Sequence, residues 1–389
     1  MKTLTSLLLG LSIILAACTS VKQKATQKDM MVYIGTYAKP DAESIFAYNL
    51  NEETGALTRS FAVKAGENPS FLTLDADRKH LYAVNETTEF EGQKSGAVSA
   101  FAIDQKTGNL TFLNRQPSLG GAPCYISLDH KNKVALVANY VGGNISTFLL
   151  QEDGRLGSSS DMEQHQGKGP RPQQDAAHAH CILPDPENNF ALAVDLGIDQ
   201  IISYRLNKSD GKLERQSVFT AKSGAGPRHL TFHPKNKRFA YVINELNSTL
   251  TTFTYNPDNG TLTEVETVPT LPVGYTGENA CADIHVSADG KFLYGSNRGH
   301  NSIVVFSINQ DTNKLTLVQH MATQVNWPRN FTFSPSGRTM LVANQKSNSI
   351  TTYKVDAQTG KLTYTGNSAA VPSPVYVQVV PAFPETPKP

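Results

Sequence analysis

Apolar residues in this chain come in short runs, separated by clusters of Gly, Pro, Asn, Asp and Ser, with no sustained helical period. One run repeats. Leu81–Asn85 (Leu-Tyr-Ala-Val-Asn) returns as Ala135–Asn139, Ala191–Asp195, Ala240–Asn244, Leu293–Asn297 and Met340–Asn344, and Val32–Thr36 is a weaker seventh copy. Ahead of six copies lies another strand, often opening on proline: Pro69–Leu72, Pro123–Ile126, Pro227–Leu230 and Pro328–Phe331. Ala179–Ile182 and Cys281–Ile284 hold the same place without the proline. The two strands are joined by polar turns such as Ser287–Lys291 and Ser334–Arg338, which is hairpin chemistry. A third strand follows, as in Ser302–Phe306 or Ser349–Tyr353, and then a tight Gly turn into a fourth, as in Thr107–Thr111, Asn259–Thr263 and Gln358–Tyr364.

Four short strands per unit predict an all-β fold whose unit is a propeller blade. Unit starts at residues 69, 123, 179, 227, 281, 328 and 372 give blades of about 50 residues. The last start has only an inner strand after it, whereas the first part of the repeat region has three strands and no inner one. Pairing them makes one blade, with Val375–Val379 inside and then Val32–Thr36, Ile45–Asn49 and Leu57–Phe61. The result is a closed seven-bladed β-propeller over 30–381 with a C-terminal tail at 382–389, in preference to separate arrays of three and four blades.

Composition narrows the picture. The chain has 389 residues, and Lys+Arg 35 against Asp+Glu 34 leaves a net charge of +1, which argues against a nucleic-acid partner. Four cysteines in this length do not form a disulfide scaffold. Cys124, Cys181 and Cys281 are expected as buried thiols. At the start, a basic Met1–Thr3 precedes an apolar run, Leu4–Ala17, about 21 Å long as a helix and too short to span a bilayer. Its end, Leu15-Ala16-Ala17-Cys18, resembles a bacterial lipobox. That resemblance implies a signal peptide at 1–17, lipidation of Cys18, a tether over 18–29, and an envelope protein anchored to a membrane through Cys18.

Blade register converts the repeat into a map of one channel mouth. An inner strand begins on the face where the second strand ends, so residues at these two positions gather at one mouth. After the unit starts come Ser70, Cys124, His180, Arg228, Ala282, Arg329 and Ser373. After the second-strand motifs come Tyr37, Glu86, Tyr140, Leu196, Glu245, Arg298 and Gln345. Arginines around a funnel suit a carboxylate, a phosphate or a developing oxyanion, and a neighbouring His or Glu can act as a base toward water. His180, Arg228, Glu245 and Arg298 are therefore the candidate catalytic group. His178, His229, Asp283, His285, Tyr140 and Arg329 are candidate ligand contacts. Pairing of Arg228 with Glu245 and of Arg298 with Asp283 would lock neighbouring blades instead, and Glu86 and Arg329 read as a rim pair. Alternation along the strand argues against a metal on Asp175, His178, His180 and Asp283.

Three strings carry a further resemblance: Gly224–Pro234 (GAGPRHLTFHP), Tyr241–Ser248 (YVINELNS), and Ala282–His285 with Asn297-Arg298. They resemble the bacterial seven-bladed propeller 6-phosphogluconolactonases, whose fold is shared by fungal carboxy-cis,cis-muconate cyclases. The resemblance implies a lactone hydrolase without a cofactor, acting on a small anionic lactone or sugar acid. It also implies that a His, two Arg and a Glu act at the site, falling on His180, Arg228, Glu245 and Arg298. A lactonising cycloisomerase and a non-catalytic envelope propeller that binds a sugar acid or a protein are the competing expectations. The lipobox departs from the cytosolic members, whose phosphorylated substrate is intracellular, so the ring-opening chemistry transfers more readily than the substrate.

Overall fold

The computed structural model describes residues 30–383; the expected signal peptide, Cys18 and tether lie outside the described residues, as does the C-terminal tail beyond Phe383. Among the described residues, 28 strands form seven four-stranded antiparallel sheets, each ordered from the channel outward. Two single 3-10 turns, Pro172–Gln174 and Gln345–Ser347, are the helical elements among them.

Blade 1 is the closing blade: Pro374–Pro381 inside, then Met30–Thr36, Ile45–Leu50 and Leu57–Val63. Blades 2 to 7 follow in chain order, with inner strands Leu72–Leu74, Pro123–Leu128, Ala179–Pro184, Pro227–Phe232, Ala280–Val286 and Pro328–Phe333. The ring therefore closes as the repeat implies, by pairing Met31 with Val380 and Ile34 with Val377. Two details differ. The inner strand of blade 1 starts at Pro374, so the residue at the mouth is Val375, and Ser373 sits in the preceding turn at φ 38. In blade 2 the ladder starts only at Leu72.

Hydrophobic burial is divided into seven seams, one between each pair of neighbouring blades. Blades 7 and 1 share Leu341, Ala343 and Ile350 with Val32, Ile34 and Val377, and blades 3 and 4 share Leu136, Ala138 and Ile145 with Ala191, Ala193 and Ile202. The recurring spacing of the motifs has a direct cause in these seams. The tyrosine of a second strand donates its hydroxyl to the turn glycine of the next blade: Tyr33 to Gly108, Tyr82 to Gly154 and Tyr294 to Gly360, at 2.7–3.0 Å. Gly108 and Gly360 have φ of 76° and 70°, and an added Cβ would strike a ring of the neighbouring blade, so the turn accepts only glycine.

Candidate active site

A backbone irregularity builds the site. In blades 3, 4, 5 and 7 the pairing skips the second residue of the inner strand: Pro123 then Tyr125, Ala179 then Cys181, Pro227 then His229, Pro328 then Asn330. The skipped residues are Cys124, His180, Arg228 and Arg329. A bulge of this kind leaves one residue outside the ladder and re-aims its side chain. Here the bulge residues line a void of about 10 Å³ at the mouth, together with Ser70, Glu86 and Val375.

Arg228 is 2% exposed, and Arg298 and His180 are each 5% exposed, so the charged group is held below the surface. Glu245 links the two arginines. Its Oε2 lies 2.9 Å from Arg228 Nε, off the N–H axis, and 2.7 Å from Arg298 Nη2. Arg298 is fixed by bonds to the carbonyls of Ala280 (3.1 Å) and Cys281 (3.0 Å) and does not pair with Asp283. Arg228 also donates to the Ala282 carbonyl. Burial would raise the Glu245 carboxyl, but Arg298, Arg228 and Arg329 outweigh it and hold it below the usual range, so it is ionised. Burial and the neighbouring Arg298 lower Arg228 to about 10, still protonated at neutral pH.

His180 is different. Burial first, and then the charges of Arg228, His229 and Arg329, push its imidazole well below the ordinary histidine range. It is therefore neutral, and its buried Nδ1 has no hydrogen-bond partner in the protein. Tyr140 covers the group from blade 3, with its ring edge-on to His180 at 5.6 Å. Burial and the nearby Glu245 raise its hydroxyl to about 12. His178 stacks on Tyr140 at 4.5 Å, but its ring nitrogens are already taken by the Tyr140 carbonyl and Asp175, each at 2.9 Å.

One layer deeper, Phe71, Tyr125 and Tyr376 close the channel with His229, Asp283 and Asn330; the Phe71 ring lies 4.2 Å from Tyr125 and 4.3 Å from Tyr376. His229 Nδ1 donates to Asp283 (2.8 Å), which leaves Nε2 facing Arg228 Nη1 at 3.2 Å. Burial lowers His229 to about 4. Asp283 accepts further bonds from His285 Nε2 (3.0 Å), Asn330 Nδ2 (2.5 Å) and the Ile284 and Phe331 amides. Burial would raise its carboxyl, but His285 and His229 outweigh it and keep it ionised.

The candidates thus separate. His180, Arg228, Glu245, Arg298, Tyr140 and Arg329 meet at the mouth; His229 and Asp283 lie in the plug and support Arg228. His285 lies beyond the plug in a cavity of about 200 Å³ that opens from the other end, because residues two further along an inner strand stand about 7 Å deeper. Arg329 reaches Glu86 through Tyr37: Arg329 Nη2 donates to the Tyr37 hydroxyl, which donates to Glu86 Oε1, both at 2.9 Å. Among the described residues no group of three or more His, Cys, Asp or Glu side chains is arranged to hold a metal ion. Sequence reasoning missed Trp327, whose ring lies 5.6 Å from the Arg298 guanidinium and 3.2 Å from Lys346 Nζ. It precedes a unit start, outside both register positions, and its being the one tryptophan in the chain was the available signal.

Comparison with known proteins agrees with this architecture. Residues 31–379 match the family described as lactonase, 7-bladed beta-propeller. A 6-phosphogluconolactonase of Bacillus subtilis is 41% identical over 305 residues, 78% of this chain and 85% of the relative. A 6-phosphogluconolactonase of Formosa agariphila is 35% identical over 318 residues, covering 80% of this chain and 88% of the relative. The structure of a periplasmic gluconolactonase of Pseudomonas aeruginosa superposes with a TM-score of 0.85 at 31% identity, over 92% of this chain and 100% of that one. Repeat, ring closure and family match coincide over the same residues, and the chain belongs to the seven-bladed β-propeller lactonase family.

Proposed function

We propose that this protein is a lactonase that opens a sugar-acid lactone with water at the charged mouth. The observation that carries this reading is the juxtaposition of neutral His180 with two buried guanidiniums bridged by Glu245. A lactone carbonyl placed against Arg228 and Arg298 gains stabilisation as its oxygen becomes an oxyanion, in a setting screened from solvent. His180 has a free lone pair and takes the proton from the attacking water. Glu245 is less suited to that step, because its Oε2 is held by two cations and its basicity is depressed. The tetrahedral intermediate collapses by cleaving the ring C–O bond. The proton held on His180 passes to the leaving alkoxide, giving a hydroxy acid. The relatives named as 6-phosphogluconolactonase and gluconolactonase support a sugar-acid substrate.

A pH-stat assay of the purified protein on plain and phosphorylated sugar lactones tests this. Acid release that disappears in His180→Ala and Arg228→Ala, while both variants remain folded, is the expected result. Ligand-induced stabilisation without acid release would instead favour a binding protein, and ring formation without net uptake of water would favour a cycloisomerase. For location, Leu15–Cys18 supports an envelope lipoprotein. Palmitate labelling and membrane recovery that vanish in Cys18→Ser are expected; a Cys18→Ser protein that still pellets with membranes would overturn the anchor. Met30 begins the second strand of blade 1 at the end away from the mouth.

A further inference from the structure

Several buried polar atoms of the mouth have no partner in the protein: Ser70 Oγ, Glu86 Oε2 and His180 Nδ1 are three of them, and all three residues line the same void of about 10 Å³. A buried carboxylate oxygen left unpaired is costly, so its retention calls for a role. Its orientation is not accidental. Glu86 Oε1 is held by the Tyr37 hydroxyl, itself bonded by Arg329, and the Glu86 backbone is bonded on both sides to Asn68. This frame fixes the Glu86 carboxylate beside the void.

We propose that Ser70 and Glu86 form a pocket for one hydroxyl group of the substrate, which makes the enzyme selective for polyhydroxylated lactones. The proposal rests on the lactonase reading and adds the feature that reads the sugar. The chemistry of the lining selects the occupant. Glu86 Oε2 can only accept, so the group must donate; Ser70 Oγ can donate or accept, which suits a group that does both. Carbonyl and carboxylate oxygens cannot donate to Glu86. Arg228 and Arg329 line the same void and oppose an ammonium. The volume admits a group the size of one water, so a single substrate hydroxyl fills it and the attacking water reaches His180 from outside this void. A site that hydrogen-bonds a substrate hydroxyl rejects the analogue lacking it, because the polar lining is then left unpaired.

The test compares D-glucono-1,5-lactone with δ-valerolactone, which has the same ring and no hydroxyl groups. For the wild type, kcat/KM should favour gluconolactone strongly. In Glu86→Gln that preference should fall about 10- to 100-fold, and in Ser70→Ala about 3- to 10-fold, the range for a charged and a neutral hydrogen bond. Ser70→Ala removes one oxygen and guards against a folding defect in the other variant. If both lactones slow by the same factor, the pair serves the attacking water or the fold, and the pocket is overturned. A wild type without preference overturns the pocket and leaves the lactonase reading standing. Should neither lactone react, the lactonase reading is decided by the phosphorylated lactones, and calorimetry of gluconate against 5-hydroxyvalerate decides the pocket: equal affinities in wild type and Glu86→Gln would overturn it.

Discussion

The two ends of the central channel are lined by the same seven inner strands, yet they have opposite character. The mouth holds buried guanidiniums, carboxylates and a neutral histidine around a void of about 10 Å³. The other end is a cavity of about 200 Å³ lined by Thr73, Ser127, Thr231, Thr332, Gln378 and His285. Composition alone does not explain the contrast. At the mouth the ladder is bulged in blades 3, 4, 5 and 7, so Cys124, His180, Arg228 and Arg329 escape pairing and crowd the axis. Beyond the plug the ladder is regular, side chains alternate, and the axis stays open. Two of the mouth's charges, Arg228 and Arg329, stand on these bulges.

The comparison is most strongly tested by removing the mouth groups. His180→Ala should lower kcat/KM for the preferred lactone by about 10²- to 10⁴-fold, the usual worth of a general base. Arg228→Ala should cost about 10²- to 10³-fold, as for loss of an oxyanion donor. Activity at or near the wild-type level in either variant would remove the mouth as the catalytic end.

Asp283 divides the two ends, and its loss should appear in stability. Asp283→Ala leaves His229, His285 and Asn330 without their shared acceptor, an expected cost of about 3–5 kcal/mol in urea unfolding, as for breaking a buried pair. A loss below about 1 kcal/mol would show that the plug does not depend on this carboxylate.

The effect of pH follows from His180 and His229. Folding lowers both His180 and His229 below 6.5, so between 6.5 and about 4 the unfolded chain binds more protons than the native one. Their contribution to stability is complete above 6.5 and declines as pH falls toward about 4. A base that stays neutral this far down also keeps kcat/KM on its plateau below the ordinary histidine range. A loss of activity centred at about 6.5, the unperturbed histidine value, would place the base elsewhere. The smallest effect is expected at the other end, where Thr332→Val should leave kcat/KM within about twofold.

Much of this was legible before folding. The second-strand motif fixed the blade count, and the orphan strands at either end of the repeat called for one another, since an unpaired edge is costly. His180, Arg228, Glu245 and Arg298 come to one mouth because repetition makes equivalent positions meet. Register failed where depth mattered. His285 is only two residues from Asp283 in sequence, yet that step carries it past the plug into the opposite cavity. Pairing of Arg298 with Asp283, the structural alternative that charge allows, does not occur, because bonds to the Ala280 and Cys281 carbonyls aim Arg298 at Glu245.

By itself the sequence determined the number of blades, the seams between them and the residues offered to the mouth, because each follows from local periodicity repeated around a ring. Only the tertiary structure decided which groups share a proton, an ion pair or an unpaired buried oxygen. Those relations depend on side chains from different blades converging at the bulged ends of their strands, where distances of about 3 Å and the exclusion of water set the charge state of every group.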